Sequence, residues 1–335
     1  LRMVHACQSG HPGGSLGCAD FLVALYFDTL KHHTNFSMDG KNEDLFFLSN
    51  GHISPVFYSV LARSGYFDVK ELATFRKLNT RLQGHPTTHE HLPGVRVASG
   101  SLGQGLSVAI GAALTKKLNK DASLVYCLHG DGELQEGQIW EAAMYAPYHK
   151  VDNLIATIDV NGQQIDGSTE QVLSLGNLRA KWEAFGWEVL SMDGNNMADV
   201  QRGLAEAKSK TGKGKPVLIL MKTEMGNGVD FMMHSHKWHG IAPSDEQLAA
   251  ALGQLEETSG GKNIVKDLRL ISVDCVADPS FPKAFVNGIL ESKQWVLAES
   301  GQFEEIYAGF ENKISTLPKS QVETYLKECI LDFLN

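Results

Sequence analysis

Residues 124–132 read LVYCLHGDG and residues 154–167 read LIATIDVNGQQIDG, and these two stretches decide the fold. Each opens as an apolar run, Leu124 to Leu128 and Leu154 to Ile158, and ends in a small polar turn. Between Gly132 and Asn161 lies helix-like sequence. A strand, a crossover helix and a second parallel strand need about thirty residues, and both strands then end on the same edge of the sheet. Asp131 and Asn161 are therefore expected side by side at that edge, where open α/β sheets bind small ligands.

The residue types suit a cation and an anion together. One carboxylate, one amide oxygen and a backbone carbonyl from the turn after Asn161 are hard oxygen ligands appropriate to Mg²⁺ or Ca²⁺. They are too few for an octahedron, so the remaining positions fall to water and to a diphosphate or similar anion. Gly132, without a Cβ, lets its backbone N–H approach phosphate at the start of a helix expected near Glu133. A nicotinamide-dinucleotide loop fits poorly, because that fingerprint wants glycine where Gln135 stands and an acidic residue after the second strand. Taken singly, Asp-Gly and Asn-Gly are common turn dipeptides. Their joint occurrence at two strand ends, correctly separated, says more.

The rest of the chain alternates in the same way. Helix periodicity runs over Cys18 to Leu30, Pro55 to Arg63, Gly105 to Leu118, Leu178 to Phe185 and Ala198 to Lys208. Apolar strands are expected at Leu45 to Leu48, Trp187 to Ser191 and Val217 to Met221. This pattern predicts an α/β fold, a mainly parallel sheet with helices on both faces. Ser244 and Gln247 form a capping box for a helix running to about Glu256, and Ser259-Gly260-Gly261 reads as a break.

Composition narrows the class. The 335 residues, 43% apolar and 21% charged, can bury one large core and a small second unit. A net charge of −9 with no sustained basic run argues against nucleic acid or an anionic membrane as partner. Cys7, Cys18, Cys127, Cys275 and Cys329 are scattered, without metal-ligand spacing or an even count, which favours a reducing, cytoplasmic setting. No apolar run is long enough for a membrane span, and nothing at the start reads as a cleavable signal. The chain opens on Leu1, so a native N-terminus and any short targeting segment are expected to lie outside it.

Four loops carry histidine beside glycine or proline: Gly10-His11-Pro12-Gly13-Gly14, Ser49-Asn50-Gly51-His52, Gly84-His85-Pro86 and Trp238-His239-Gly240. A single loop histidine is usually a solvated surface residue. Four with this local chemistry suggest a polar pocket, since neutral imidazole donates to phosphate or sugar hydroxyls and shuttles protons near neutral pH. Zinc is disfavoured, because these loops share no recognised zinc-ligand signature of histidines with carboxylates or cysteines.

At this level the chain resembles the diphosphate-binding half of the transketolases, which use thiamine diphosphate and Mg²⁺ to move a two-carbon ketol unit between sugars. The resemblance spans about Met3 to Gln254. It rests on the histidine loops, on Leu48 and Ser49 before Asn50, on Gly100-Ser101-Leu102-Gly103-Gln104-Gly105, on Gly130-Asp131-Gly132 with Glu136-Gly137, on Asn161, and on Lys222-Thr223 with Gly226 and Gly228. It implies that Asp131, Asn161 and the carbonyl of Gln163 hold the metal, and that Gly130, Gly132, His52 and His239 approach the diphosphate. His11 and His85 would line the channel and relay protons, with His52 and His239 also in catalytic reach. Gly100 and Leu102 would pack at the cofactor's middle, and Glu136 would join a carboxylate network reaching across a subunit interface. Ser101 departs from the proline common in full-length members.

A complete site of this kind also needs a pyrimidine-binding domain, and the residues after Glu256 are too few for one. The expected organisation is a diphosphate-binding domain over 1–258 and a segment of uncertain role over 262–335. Within that segment, Leu268 to Asp274 and Trp295 to Ser300 faintly resemble two pyrimidine-domain strands, with Glu299 one position from the catalytic glutamate; an interface appendage is the other reading. The resemblance thus implies one subunit of a split transketolase, completed by a pyrimidine-domain subunit, with two copies of each chain and sugars or sugar phosphates as substrates. The alternatives are a subunit of another thiamine diphosphate enzyme, similar to a 1-deoxyxylulose-phosphate synthase or acting on an unusual substrate, and a non-catalytic scaffold.

Overall fold

A computed structural model describes residues 1–260 together with two short strands, Trp295–Leu297 and Phe303–Glu305. The chain divides into two compact units, Leu1–Ile264 and Val265–Asn335. In the second, those two strands pair antiparallel. The expected strand at Leu268 to Asp274 and the position of Glu299 lie outside the described residues.

The first unit is built on five strands, β1 (Leu45–Leu48), β2 (Val125–Gly130), β3 (Leu154–Val160), β6 (Glu188–Asp193) and β7 (Val217–Lys222), ordered β1-β2-β3-β7-β6 and all parallel. A two-residue hairpin, β4 (Gln163–Gln164) with β5 (Gly167–Ser168), follows β3. The helices are α1 (Arg2–Cys7), α2 (Pro12–Gly17), α3 (Ala19–Ala24), α4 (Ser54–Arg63), α5 (Gly105–Leu118), α6 (Gly137–Tyr148), α7 (Thr169–Leu173), α8 (Leu178–Phe185), α9 (Met197–Lys210) and α10 (Asp245–Gly260).

The side-chain period of two sorts each strand onto two cores. Phe46, Leu48, Tyr126 and Leu128 face Phe21 and Leu22 of α3, Tyr58 and Leu61 of α4, and Val200 and Leu204 of α9. Leu45, Phe47, Val125 and Cys127 face Leu106 and Ile110 of α5, Ile139 and Ala143 of α6, and Trp182 of α8. The parallel sheet with helices on both faces is therefore as expected. No helix among the described residues is long and apolar enough to cross a membrane.

Three local expectations are corrected. The helix expected from near Glu133 is instead a 3₁₀ turn over Gly132–Gln135, and α6 starts only at Gly137. The cause is the Glu133 side chain, which folds back to accept from the Gly130 and Gly103 N–H groups, while Glu136 is extended before α6. The periodicity over Cys18 to Leu30 becomes α3 followed by a π turn, Leu25–Thr29, whose wider hydrogen bonding absorbs the last residues. The break at Ser259-Gly260 is absent, because α10 continues through Gly260; Gly261 is outside the described residues. The capping box is present, Ser244 N–H donating to Gln247 Oε1 and Gln247 N–H to Ser244 Oγ.

Trp182 anchors the second core, 1% exposed, with ring centroids 5.0 Å from Trp187 and 5.6 Å from Trp140. Trp182→Ala is expected to lower the unfolding free energy by about 3–5 kcal/mol, read from the urea midpoint. A loss below about 1 kcal/mol would mean that α8 is not part of this core.

Candidate active site at the carboxyl edge of the sheet

The β2–β3 register puts Gly130 opposite Asp159, and the Asp131 N–H extends the ladder by donating to the Asp159 carbonyl at 3.1 Å. Asp131 is 2% exposed. Its Oδ1 accepts from the Gly132 N–H at 2.8 Å and its Oδ2 from the Gly162 N–H at 2.6 Å, so one carboxylate ties the turn after β2 to the turn after β3. Asn161 is oriented from both sides: its Nδ2 donates to Asp159 Oδ2 at 2.9 Å, and its Oδ1 accepts from the Gln163 N–H at 2.9 Å. Asp159 also accepts from the Thr223 hydroxyl.

These carboxylates carry an electrostatic cost. Burial, then the charge of Asp159, push the Asp131 pKa up to about 7, and only backbone N–H groups of Gly162, Gly132 and Asn161 pull it down. Burial raises Asp159 as well. Two close carboxylates offset mainly by neutral donors make a site that a divalent cation would stabilise. Among the described residues no cluster of three His, Cys, Asp or Glu could hold a metal, so a cation here would rely on Asp131, an amide and carbonyls. That hard-oxygen set fits Mg²⁺ or Ca²⁺.

The pair opens into a cleft of about 420 Å³ lined by Asp131, Asn161, Gln163, Gly130, Gly132, Leu102, Glu136, His11, His52 and His239, among others. That volume lies in the usual range for a small-molecule site. The four sequence-picked histidines meet here: ring centroids are 4.8 Å apart for His11 and His52, 5.6 Å for His11 and His239, 4.6 Å for His52 and His85, and 6.4 Å for His11 and His85. Only His85 sits in an open loop. His11 caps the start of α2, and His52 and His239 lie in 3₁₀ turns.

Two sequence-picked residues lie off the lining. His85 stands behind His52, and Gly100 packs on His85, where a Cβ would come within 2.9 Å of the ring at a φ of 140°. Any side chain there would push His85 or strain the backbone. Glu136 is exposed at the cleft. The Gly132 N–H, expected to be free for phosphate, is already engaged by Asp131.

The histidines are held neutral. Burial lowers His11 to about 3, helped by His52, His239, Arg76 and His85. Burial and the neighbouring His85 and His239 lower His52 to about 4, against a smaller pull from Glu133. His85 and His239 are lowered too, chiefly by burial. His11 Nδ1 and His85 Nε2 are buried with no hydrogen-bond partner, so the cluster holds unsatisfied polar atoms.

Glu133 is a site residue that the sequence motifs do not single out. At 2% exposure it accepts from the Ser49 hydroxyl, from Gly103 N–H at 2.7 Å and from Gly130 N–H at 3.2 Å, and His129 Nδ1 stands 3.6 Å away. Burial pushes its pKa up, but His129, Ser49 and Gly103 together hold it below the ordinary glutamate value. One carboxylate thus joins the turns after β1 and β2 to the loop before α5. Ser49 Oγ in turn accepts from Gly105 N–H at 3.0 Å, an approach that a Cβ on Gly105 would block. The available signal was Glu133 standing directly after Gly130-Asp131-Gly132.

Residues 1–258 match the family described as transketolase, thiamine diphosphate binding domain. An apulose-4-phosphate transketolase subunit of Phocaeicola vulgatus is 40% identical over 257 residues, covering 77% of this chain and 90% of that protein. The 6-deoxy-6-sulfo-D-fructose transketolase subunit SqwG of a Clostridium species is 39% identical over 251 residues, covering 74% and 89%. Human transketolase is 38% identical over 245 residues, 72% of this chain but 37% of that protein. Among solved structures, transketolase from Campylobacter jejuni superposes with a TM-score of 0.70 at 36% identity, over 76% of this chain and 40% of that one.

Depressed histidine pKa values give the ligand-free protein a defined acid response. Below the unfolded value of about 6.5 the unfolded chain takes up protons that folded His11 and His52 refuse. Their contribution to stability is therefore complete above that pH and lost as pH falls towards 4 and then 3. His11→Gln is expected to flatten the fall of melting temperature between pH 6.5 and 4, relative to wild type. Superimposable pH profiles would show that His11 is not held neutral by the fold.

Proposed function

The chain belongs to the transketolase family, matching its thiamine diphosphate-binding domain, and from that premise we propose that it is the diphosphate-binding subunit of a two-chain transketolase. In this reading it transfers a two-carbon ketol unit from a ketose to an aldose, with thiamine diphosphate and Mg²⁺, or Ca²⁺ in its place. The observation that carries the proposal is the buried Asp131, bridging the turns after β2 and β3 beside Asn161 and sharing a cleft with the neutral His11, His52 and His239, with His85 behind His52.

When bound, the cofactor supplies the carbanion-stabilising chemistry, and the protein's share is anchoring, orientation and proton handling. Asp131, Asn161 and the Gln163 carbonyl would hold the metal. His52 and His239, with Gly130 and Gly132, would face the diphosphate, and Leu102 would pack against the cofactor's middle, with Gly100 behind it. His11, His52, His85 and His239 are neutral near pH 7, so each imidazole has one donor and one acceptor. Such groups can bind the hydroxyls of a sugar or sugar phosphate and hold a proton during transfer. Glu136, exposed at the cleft, would meet the partner subunit.

The need for a partner is supported by two relatives that are themselves named as subunits. The chain covers about nine-tenths of two proteins named as transketolase subunits and little over a third of human transketolase. We therefore assign 1–258 as the diphosphate domain, leave 262–335 outside it, and assign the pyrimidine-binding domain to a second chain, with two copies of each. A reducing, cytoplasmic setting belongs to the same proposal. Among the described residues Cys7, Cys18 and Cys127 are free thiols.

The isolated chain is expected to lack ketol transfer, and addition of the pyrimidine-domain subunit to restore it. Full activity from this chain alone would refute the split site. Asp131→Ala is expected to abolish Mg²⁺-dependent binding of thiamine diphosphate in titration calorimetry on the assembled complex. Unchanged affinity would remove Asp131 from the metal site.

A further inference from the structure

Resting on the diphosphate reading above, we infer that Asn50 is an additional ligand of the bound diphosphate, donating to it through the side-chain amide. Asn50 follows β1 at the same sheet edge, where the Ser49 N–H donates to the Leu128 carbonyl and brings the segment against β2. It is 8% exposed and lines the cleft that holds Asp131 and His52. Its Nδ2 lies beside Gly130, 3.7 Å from where a Cβ on that residue would sit.

The ordinary use of asparagine at this position is missing. Asn50 immediately precedes the 3₁₀ turn Gly51–Ile53, a place where an asparagine side chain normally accepts from a backbone N–H of the turn. Here the side chain makes no such cap, and only the backbone carbonyl is used, accepting from Ile53 N–H at 3.2 Å. The amide oxygen is buried with no partner. A buried amide left unsatisfied is costly, and native structures retain few of them. One that is held off its own turn and lines a ligand cleft is best explained by a bound partner.

The chemistry of the surroundings selects an anion. An amide has two donor hydrogens and one acceptor oxygen, and rotation about Cβ–Cγ exchanges the two ends within the same shape. The neighbouring Asp131 and Asn161 would hold a cation, and the oxygens of a metal-bound diphosphate beside them need neutral donors. The Gly132 N–H is occupied by Asp131, so a donor from the β1 side fills a gap. Asn50 thus recruits the β1 edge to a site otherwise carried by β2 and β3.

The test is titration calorimetry of the protein in its native assembly with inorganic pyrophosphate in Mg²⁺, and then with thiamine diphosphate. Asn50→Ala is expected to weaken pyrophosphate binding roughly 10- to 100-fold, the value of a hydrogen bond to a charged group. Asn50→Asp, equal in shape, should weaken it further, because a carboxylate repels the anion. The ligand-free melting temperature should not fall in Asn50→Ala, since that change removes an unsatisfied buried group. Wild-type affinity in both variants would overturn the assignment. Weakened binding accompanied by a lower ligand-free melting temperature in both would also overturn it, by making Asn50 a framework residue. Absence of pyrophosphate binding by wild type would instead sink the diphosphate reading, and this inference with it.

Discussion

The parallel pairing of β2 with β3 is the constraint from which the rest of the site follows. It sets Gly130 against Asp159, so the first residues past the ends of β2 and β3, Asp131 and Asn161, leave the sheet at the same edge. Asp131 then fastens the two turns by accepting one N–H from each. A slip of one residue would turn every side chain of a strand to the opposite face. The two separate cores, each fed by alternate residues of β1 and β2, resist that slip.

Two buried carboxylates play opposite electrostatic parts above that pairing. Glu133 has enough partners to stay ionised: a hydroxyl, two backbone N–H groups and His129 nearby. Its role is structural, holding three loops at one edge. Asp131 accepts two backbone N–H bonds, but it stands near Asp159, and its pKa is driven up. A buried charge lacking full compensation is unfavourable for the fold alone and favourable for a fold that takes up a cation. The histidines show the same logic with the sign reversed. Kept neutral by burial and by one another, they offer donors and acceptors without placing positive charge where a metal would sit.

Much of this was legible in the sequence because the signals were local. Strand ends were marked by apolar runs followed by Gly-Asp-Gly and Asn-Gly. The bounds of α5 and α8 follow periodicity that ends at Leu118 and Phe185. Four glycine- or proline-flanked histidines could be grouped before their separations were known. What escaped depended on contacts between distant segments. Glu133 reads as an ordinary first-turn glutamate until Ser49 and Gly103 arrive from other loops to bond it, and for that reason the expected helix was displaced to Gly137. Asp159 directly follows the apolar run Leu154 to Ile158 with nothing local to mark its pairing with Asp131. The packing of Gly100 against the His85 ring likewise joins loops far apart in the sequence.

Manganese substitution locates the metal that Asp131 and Asn161 would hold. Mn²⁺ replaces Mg²⁺ in oxygen sites, and its position can be read from anomalous diffraction of the assembled protein crystallised with thiamine diphosphate. One strong peak per cleft is expected, bonded to a carboxylate oxygen of Asp131, the Asn161 side-chain oxygen and the Gln163 carbonyl. Cofactor bound with the metal elsewhere, or with no metal at this edge, would contradict it.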